Sequence, residues 1–130
     1  MNYALLVLAS PFAGDTVLTA QSFARSVLER GHTIERVFFY GDGVLNGSSS
    51  HIYPQDETDP VAGWRALSQQ HGVELILCVS SALKRGMLDT GEAERHDMPG
   101  ATVHPEFEVS GLGQLIDASA RCDRIVTFGA

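Results

Sequence analysis

The sequence predicts an α/β protein in which a parallel sheet of five strands is covered by helices on both faces. Three observations carry this expectation. Apolar runs of strand length alternate with amphipathic runs of helical period, the pattern left by repeated strand-helix-strand units. The first apolar run, residues 3–9, is continuous rather than alternating, as expected of a strand buried on both sides. Of 130 residues, 44% are hydrophobic and 19% are charged, a globular balance at the length of a single domain spanning residues 1–130.

Each element has its own warrant. After the first strand, Ser10-Pro11-Phe12-Ala13-Gly14 breaks the apolar run, and Asp15 or Thr16 can cap a helix. Over residues 16–30, Val17, Ala20, Phe23, Ala24, Val27 and Leu28 recur at helical spacing, and Gly31 closes the helix. Residues 34–40 are rich in aromatic and β-branched side chains and read as the second strand. Residues 41–60 form the longest irregular stretch, expected to be a binding loop or a lid over the strand ends. They hold neither a Walker-type Gly-Lys-Ser/Thr nor a Gly-x-Gly-x-x-Gly, and Asn46-Gly47-Ser48 reads as an ordinary turn.

Asp59 caps the next helix with Pro60 at its first position, and Val61, Trp64, Leu67 and Ser68 mark its buried face. Trp64 reads as a core anchor. Gly72 ends that helix and residues 73–79 form the third strand. The polar stretch 89–100 is a surface connection with a helical turn. Residues 107–109 make a short fourth strand, and Ser110-Gly111-Leu112-Gly113 is a tight turn into a helix carrying Leu112, Leu115, Ile116 and Ser119 on one face. Residues 124–128 supply the last strand. The expected arrangement is a flavodoxin-like three-layer sandwich with strand order 2-1-3-4-5, which makes the first and third strands neighbours.

The candidate functional residue is Cys78. It ends the third strand, and Ser80, Ser81, Lys84 and Arg85 follow where a helix starts. Open parallel sheets hold their ligands at the carboxyl ends of strands, and a helix amino terminus favours a thiolate. In the expected strand order Cys78 faces the loop of residues 10–14. The alternative is a packed core thiol, because free cysteine is among the most buried residue types. Lys84 and Arg85 either stabilise the thiolate or belong to a solvated, carrier-docking surface. Cys122, at a helix end, reads as structural.

Composition excludes several function classes. The two cysteines form no Cys-x-x-Cys and no cluster with histidine at zinc spacing. Histidines 32, 51, 71, 96 and 104 are scattered and read as loop or surface residues. Nine basic against sixteen acidic residues leave a net charge of −7, which opposes direct nucleic-acid binding. No run is long enough to span a membrane, and the apolar start lacks a basic n-region, so a cytoplasmic location is expected.

Several stretches together resemble the DsrE/TusD family of intracellular sulfurtransferases. They are Gly31-His32 leading into Arg36-Val37-Phe38-Phe39-Tyr40, then Gly43-Val44, the stretch from Cys78 through Val79-Ser80-Ser81-Ala82-Leu83-Lys84-Arg85-Gly86, Ser110-Gly111-Leu112-Gly113-Gln114-Leu115, and Cys122-Asp123-Arg124-Ile125-Val126. The resemblance covers essentially the whole chain. It implies a sulfurtransferase that carries sulfur as a persulfide on Cys78, with no metal, flavin or nucleotide. It also implies a heterohexamer with TusB-like and TusC-like subunits, a TusA-like donor, a TusE-like acceptor, and tRNA wobble-uridine 2-thiolation as the end of the relay. A dissimilatory sulfur-oxidation complex of the DsrE type is one alternative, and a non-catalytic flavodoxin-like binding or structural subunit is the other. Ser80 and Ser81 stand where relatives tend to be Ala-rich, a departure that changes the hydrogen bonding available to the thiol.

Overall fold

The computed structural model describes residues 1–130. Strand β1 (Asn2–Val7) leads to helix α1 (Thr16–Glu29), and β2 (Thr33–Phe39) runs into a 3₁₀ helix (Gly41–Gly47). Helix α2 (Pro60–His71), β3 (Glu74–Cys78), α3 (Val79–Lys84) and α4 (Thr90–Arg95) follow. Strand β4 (Phe107–Ser110), helix α5 (Gly113–Arg121) and β5 (Arg124–Phe128) complete the chain. The predicted strands and long helices all form within two residues of their expected bounds. Asp59 caps α2 by accepting from the amides of Val61 and Ala62, Pro60 occupies its first turn, and Gly72 ends it in the left-handed region at φ 67°.

All five strands are parallel, but their order is β4-β3-β2-β1-β5, which corrects the expected 2-1-3-4-5. The reason lies in β2. Val37 and Phe39 face the large core while Phe38 lies in a second cluster on the opposite face, and all three are fully buried. A strand apolar on both sides belongs in the middle of a sheet. The crossovers from β1 to β4 therefore all step in one direction, with α1 and α2 packed together over one face. Only the connection through α5 turns back, placing β5 outside β1 and α5 on the other face.

The larger core lies under α1 and α2 and includes Leu5, Val7, Val37, Phe39, Leu75, Leu77 and Trp64. Under α5 sit Phe38, Ile76 and Cys78, with Leu6 and Leu115 packed against them. Buried Arg36 fixes α5 there: it donates to the carbonyl of Gln114 and pairs with Asp117 at 3.1 Å and Glu74 at 3.2 Å. The expected apolar face of α5 is only partly right. Leu115 and Ala118 point inward, whereas Leu112 and Ile116 are 47% and 68% exposed.

Helix α2 is tied to the approach to β4 by Arg65, whose Nε donates to Glu106 Oε1 at 2.9 Å. Hydrogen bonds from Arg65 and Gln69 bring the Glu106 carboxyl down to about 2, against the opposing effect of burial. A carboxyl depressed in the folded state stabilises the fold above its unfolded pKa, and that contribution disappears as pH falls toward the folded value. We expect about 1 kcal/mol of stability to be lost between pH 6 and pH 3 through this group, reduced from the full linkage value because Arg65 is partly solvated. Urea midpoints at the two pH values check this, since Glu106→Gln removes that share of the difference.

Candidate functional site

Strand β3 is nearly all apolar, and its last residue, Cys78, is also the N-cap of α3. The sulfur therefore leaves the sheet where the backbone turns from extended to helical and amides are unpaired. Cys78 pairs with Ser110, the last residue of β4. From these two neighbours the chain departs to opposite faces: α3 packs Ala82 into the larger core, and α5 packs Leu115 on the other side. The strand order reverses between β1 and β5, so Cys78 lies at the carboxyl end of an inner strand between β2 and β4 and not at the switch point that the expected order gave it. The loop of residues 10–14 follows β1, beyond β2.

The thiol is only 1% exposed, as the core-cysteine alternative requires. Its electrostatics are not those of a core thiol. Burial alone pushes the thiol up, but Ser80 Oγ lies 3.5 Å from the sulfur, and the polar hydrogens of Ser80 and Ser81 at the helix start act against burial. Together these donors bring Cys78 below the usual thiol range. Ser81 is itself held in place, since its Oγ accepts from the Gly41 amide at 3.0 Å.

Lys84 and Arg85 are not among the groups that lower the thiol. Arg85 is engaged elsewhere, with Nε donating to Asp42 at 2.9 Å and Nη1 to the Ser81 carbonyl at 3.0 Å. It braces α3 against the 3₁₀ helix. Cys122 has the opposite environment to Cys78. Its Sγ donates to Glu35 at 3.3 Å, and burial with the Glu35 carboxylate pushes it up to about 11. One cysteine is poised toward thiolate and the other is kept protonated.

The residue that sequence reasoning missed is Asn46. It is fully buried: its Nδ2 donates to the carbonyls of Ala9 and Gly43, and its Oδ1 accepts from Trp64 Nε1 at 3.0 Å. Of the stretch expected to be irregular, residues 41–47 form a 3₁₀ helix clamped to the strand ends, with Gly43 so close to Val7 that a Cβ would stand 2.2 Å from its carbonyl oxygen, while residues 49–59 hold neither helix nor strand. The one available signal was Asn46 itself, an amide flanked by apolar Val44 and Leu45. No group of three His, Cys, Asp or Glu side chains is arranged to hold a metal ion, and no helix is long and apolar enough to cross a membrane.

If Ser80 lowers the thiol, Ser80→Ala should move the midpoint of the Cys78 alkylation-rate profile upward. Rates measured with iodoacetamide across the neutral-to-alkaline range, in a Cys122→Ser background, check this directly. An unchanged midpoint removes Ser80 from the site.

Fold and site together define a class: parallel α/β proteins that hold a single thiolate-favouring cysteine at the carboxyl end of an inner strand. Residues 1–128 match the DsrE/DsrF-like family, and the chain belongs to it. It is 42% identical over 128 residues to sulfurtransferase TusD of Salmonella enteritidis PT4, covering 98% of this chain and 100% of that protein. The same identity and coverage hold for sulfurtransferase TusD of Klebsiella pneumoniae. DsrE of Allochromatium vinosum is 41% identical over 129 residues, with 99% of each chain covered. At that likeness over the full length, the enzyme class of this chain is sulfurtransferase. The crystal structure of the YchN protein from E. coli superposes with a TM-score of 0.76 over 98% of this chain and 100% of that one at 18% identity, a likeness of fold.

Proposed function

We propose that the chain relays sulfur as a persulfide on Cys78. The observation that carries this reading is the contrast between the two cysteines: Cys78, at the carboxyl end of an inner strand with the Ser80 hydroxyl 3.5 Å from its sulfur, is brought below the usual thiol range, while Cys122 donates to Glu35 at 3.3 Å and is raised to about 11. In the proposed step the Cys78 thiolate attacks the terminal sulfur of a donor persulfide. The donor S–S bond breaks, the donor leaves as a thiolate, and Cys78 becomes Cys78-S-SH. Discharge repeats the exchange with an acceptor thiolate, and Cys78 leaves as a thiolate favoured by the Ser80 and Ser81 donors. Neither step needs an external oxidant or reductant.

Within this reading the donor is a TusA-like carrier, the acceptor is TusE-like, and the relay ends in 2-thiolation of a tRNA wobble uridine in the cytoplasm. The acidic surface fits a protein that meets carriers and does not grip tRNA. Assembly with TusB-like and TusC-like subunits in a heterohexamer is supported by Leu112 and Ile116, apolar side chains left exposed on α5. Because the thiol is 1% exposed, transfer requires a local opening around α5, whose Leu115 packs on the Cys78 cluster. A second reading, a DsrE-type dissimilatory sulfur-oxidation complex, is favoured by the 41% identity to DsrE and keeps the same chemistry.

The test is a load-and-discharge cycle. Incubated with a persulfide donor, the protein should gain one sulfur by intact mass and lose it on addition of an acceptor thiol. A protein that takes up no sulfur in either the isolated or the assembled form overturns the proposal and leaves Cys78 as a core residue.

A further inference from the structure

A cleft of about 380 Å³ opens beside the loop that follows β1, bounded by residues 11–18 on one side and residues 53–60 on the other. Both segments follow the carboxyl ends of strands, so the cleft shares the rim of the sheet on which Cys78 lies. Four side chains give it its chemistry. Phe12 is 60% exposed and packs its ring against His51 at 4.8 Å and Tyr53 at 6.2 Å. The Tyr53 hydroxyl is buried and has no hydrogen-bond partner. Asp15 and Glu57 also line the cleft, and no lysine, arginine or histidine does.

These groups are unsatisfied by the chain itself. Asp15 precedes α1 yet makes no side-chain capping bond. Neither Asp15 nor Glu57 takes part in any of the eight ion pairs of the chain. A structure that leaves two exposed carboxylates and an aromatic face around one cleft has built half of a cation-binding arrangement. The carboxylates accept hydrogen bonds from a cation, and the aromatic rings attract it through their quadrupoles. Apolar walls such as Pro11 and Pro60 suit the aliphatic stem of a lysine or arginine.

We propose that this cleft receives a basic side chain, lysine or arginine, presented by the protein that exchanges sulfur with Cys78. The inference rests on the relay reading for the partner's identity, while the cleft's preference for cations stands on its own lining. The chain carries a charge of −7, and a basic anchor is the complementary feature that steers and registers such a partner on this rim. Anchoring at the cleft leaves the partner's cysteine free to reach the thiol further along the same rim.

The test uses the isotopically labelled full chain and N-acetyl-lysine N-methylamide, which mimics a lysine within a polypeptide, with the norleucine derivative as its uncharged counterpart. Amide shifts at Phe12, Asp15, Tyr53 and Glu57 should move saturably with the lysine compound and not with the norleucine one. Asp15→Asn with Glu57→Gln should weaken binding about fivefold, and Phe12→Leu, which keeps the bulk and removes the aromatic face, should weaken it about threefold. Equal shifts from both compounds, or none from either, overturn the proposal. Loading of Cys78 by inorganic polysulfide, which needs no docked protein, is measured on the same variants. It should be unchanged, and its failure in the wild-type chain would count against the relay and not against the cleft.

Discussion

Replacing Cys78 with serine should reduce sulfur uptake from a persulfide donor to background, while Cys122→Ser should retain the wild-type extent. The asymmetry follows from the two environments. Thiol exchange requires a thiolate, an accessible path and a competent leaving group. At Cys78, donors from Ser80 and Ser81 outweigh burial and favour the thiolate, so its formation and its departure are both assisted. Serine keeps the size of the side chain, and its hydroxyl stays protonated at any accessible pH. The fold should survive, because the site is an N-cap position that serine tolerates. At Cys122 the thiol donates to Glu35 and remains protonated near neutrality. Serine at this position keeps a hydroxyl donor for Glu35, and the chemistry is untouched. Intact mass after loading measures both variants; equal uptake by wild type and Cys78→Ser would contradict the assignment.

The second large effect is on stability. Asn46→Ala should destabilise the fold by about 3–4 kcal/mol, because three buried hydrogen bonds vanish together and the Trp64 Nε1 donor is left without an acceptor in a dry core. Against a typical domain stability of roughly 5–15 kcal/mol this is a large share, lowering the urea midpoint by about 1–2 M. Trp64→Phe removes the same donor from the other side, so the double variant should cost less than the sum of the two single ones. Strict additivity would show that the Asn46–Trp64 bond contributes little. The effect has a functional side: the 3₁₀ helix that Asn46 clamps also presents the Gly41 amide to Ser81, one of the donors to the thiol.

Much of this architecture was legible residue by residue. The caps at Asp59-Pro60 and Gly72, the amphipathic stripe of α1 and the bounds of β5 are local features, and local chemistry decides them. The thiol at the end of β3 was legible for the same reason, since a strand, a cysteine and a helix start are contiguous in sequence. Strand order was not. It depends on which apolar strand takes the centre, and the doubly buried Val37-Phe38-Phe39 run of β2 was the available clue. Ile116 was misplaced because helical period alone does not say which side of a stripe lies down; Arg36, remote in sequence, sets the seat of α5 through Gln114 and Asp117. The role of Arg85 was ambiguous in sequence because its partner, Asp42, lies 43 residues away.

The most direct measurement is peptide-level mass spectrometry of the native chain after loading with a persulfide donor. Trypsin releases residues 66–84 as one peptide, which contains Cys78 and no other cysteine. The extra sulfur should be found on that peptide, removable by reductant, with Cys122 unmodified. Sulfur found on Cys122, with residues 66–84 unchanged, would contradict Cys78 as the carrier.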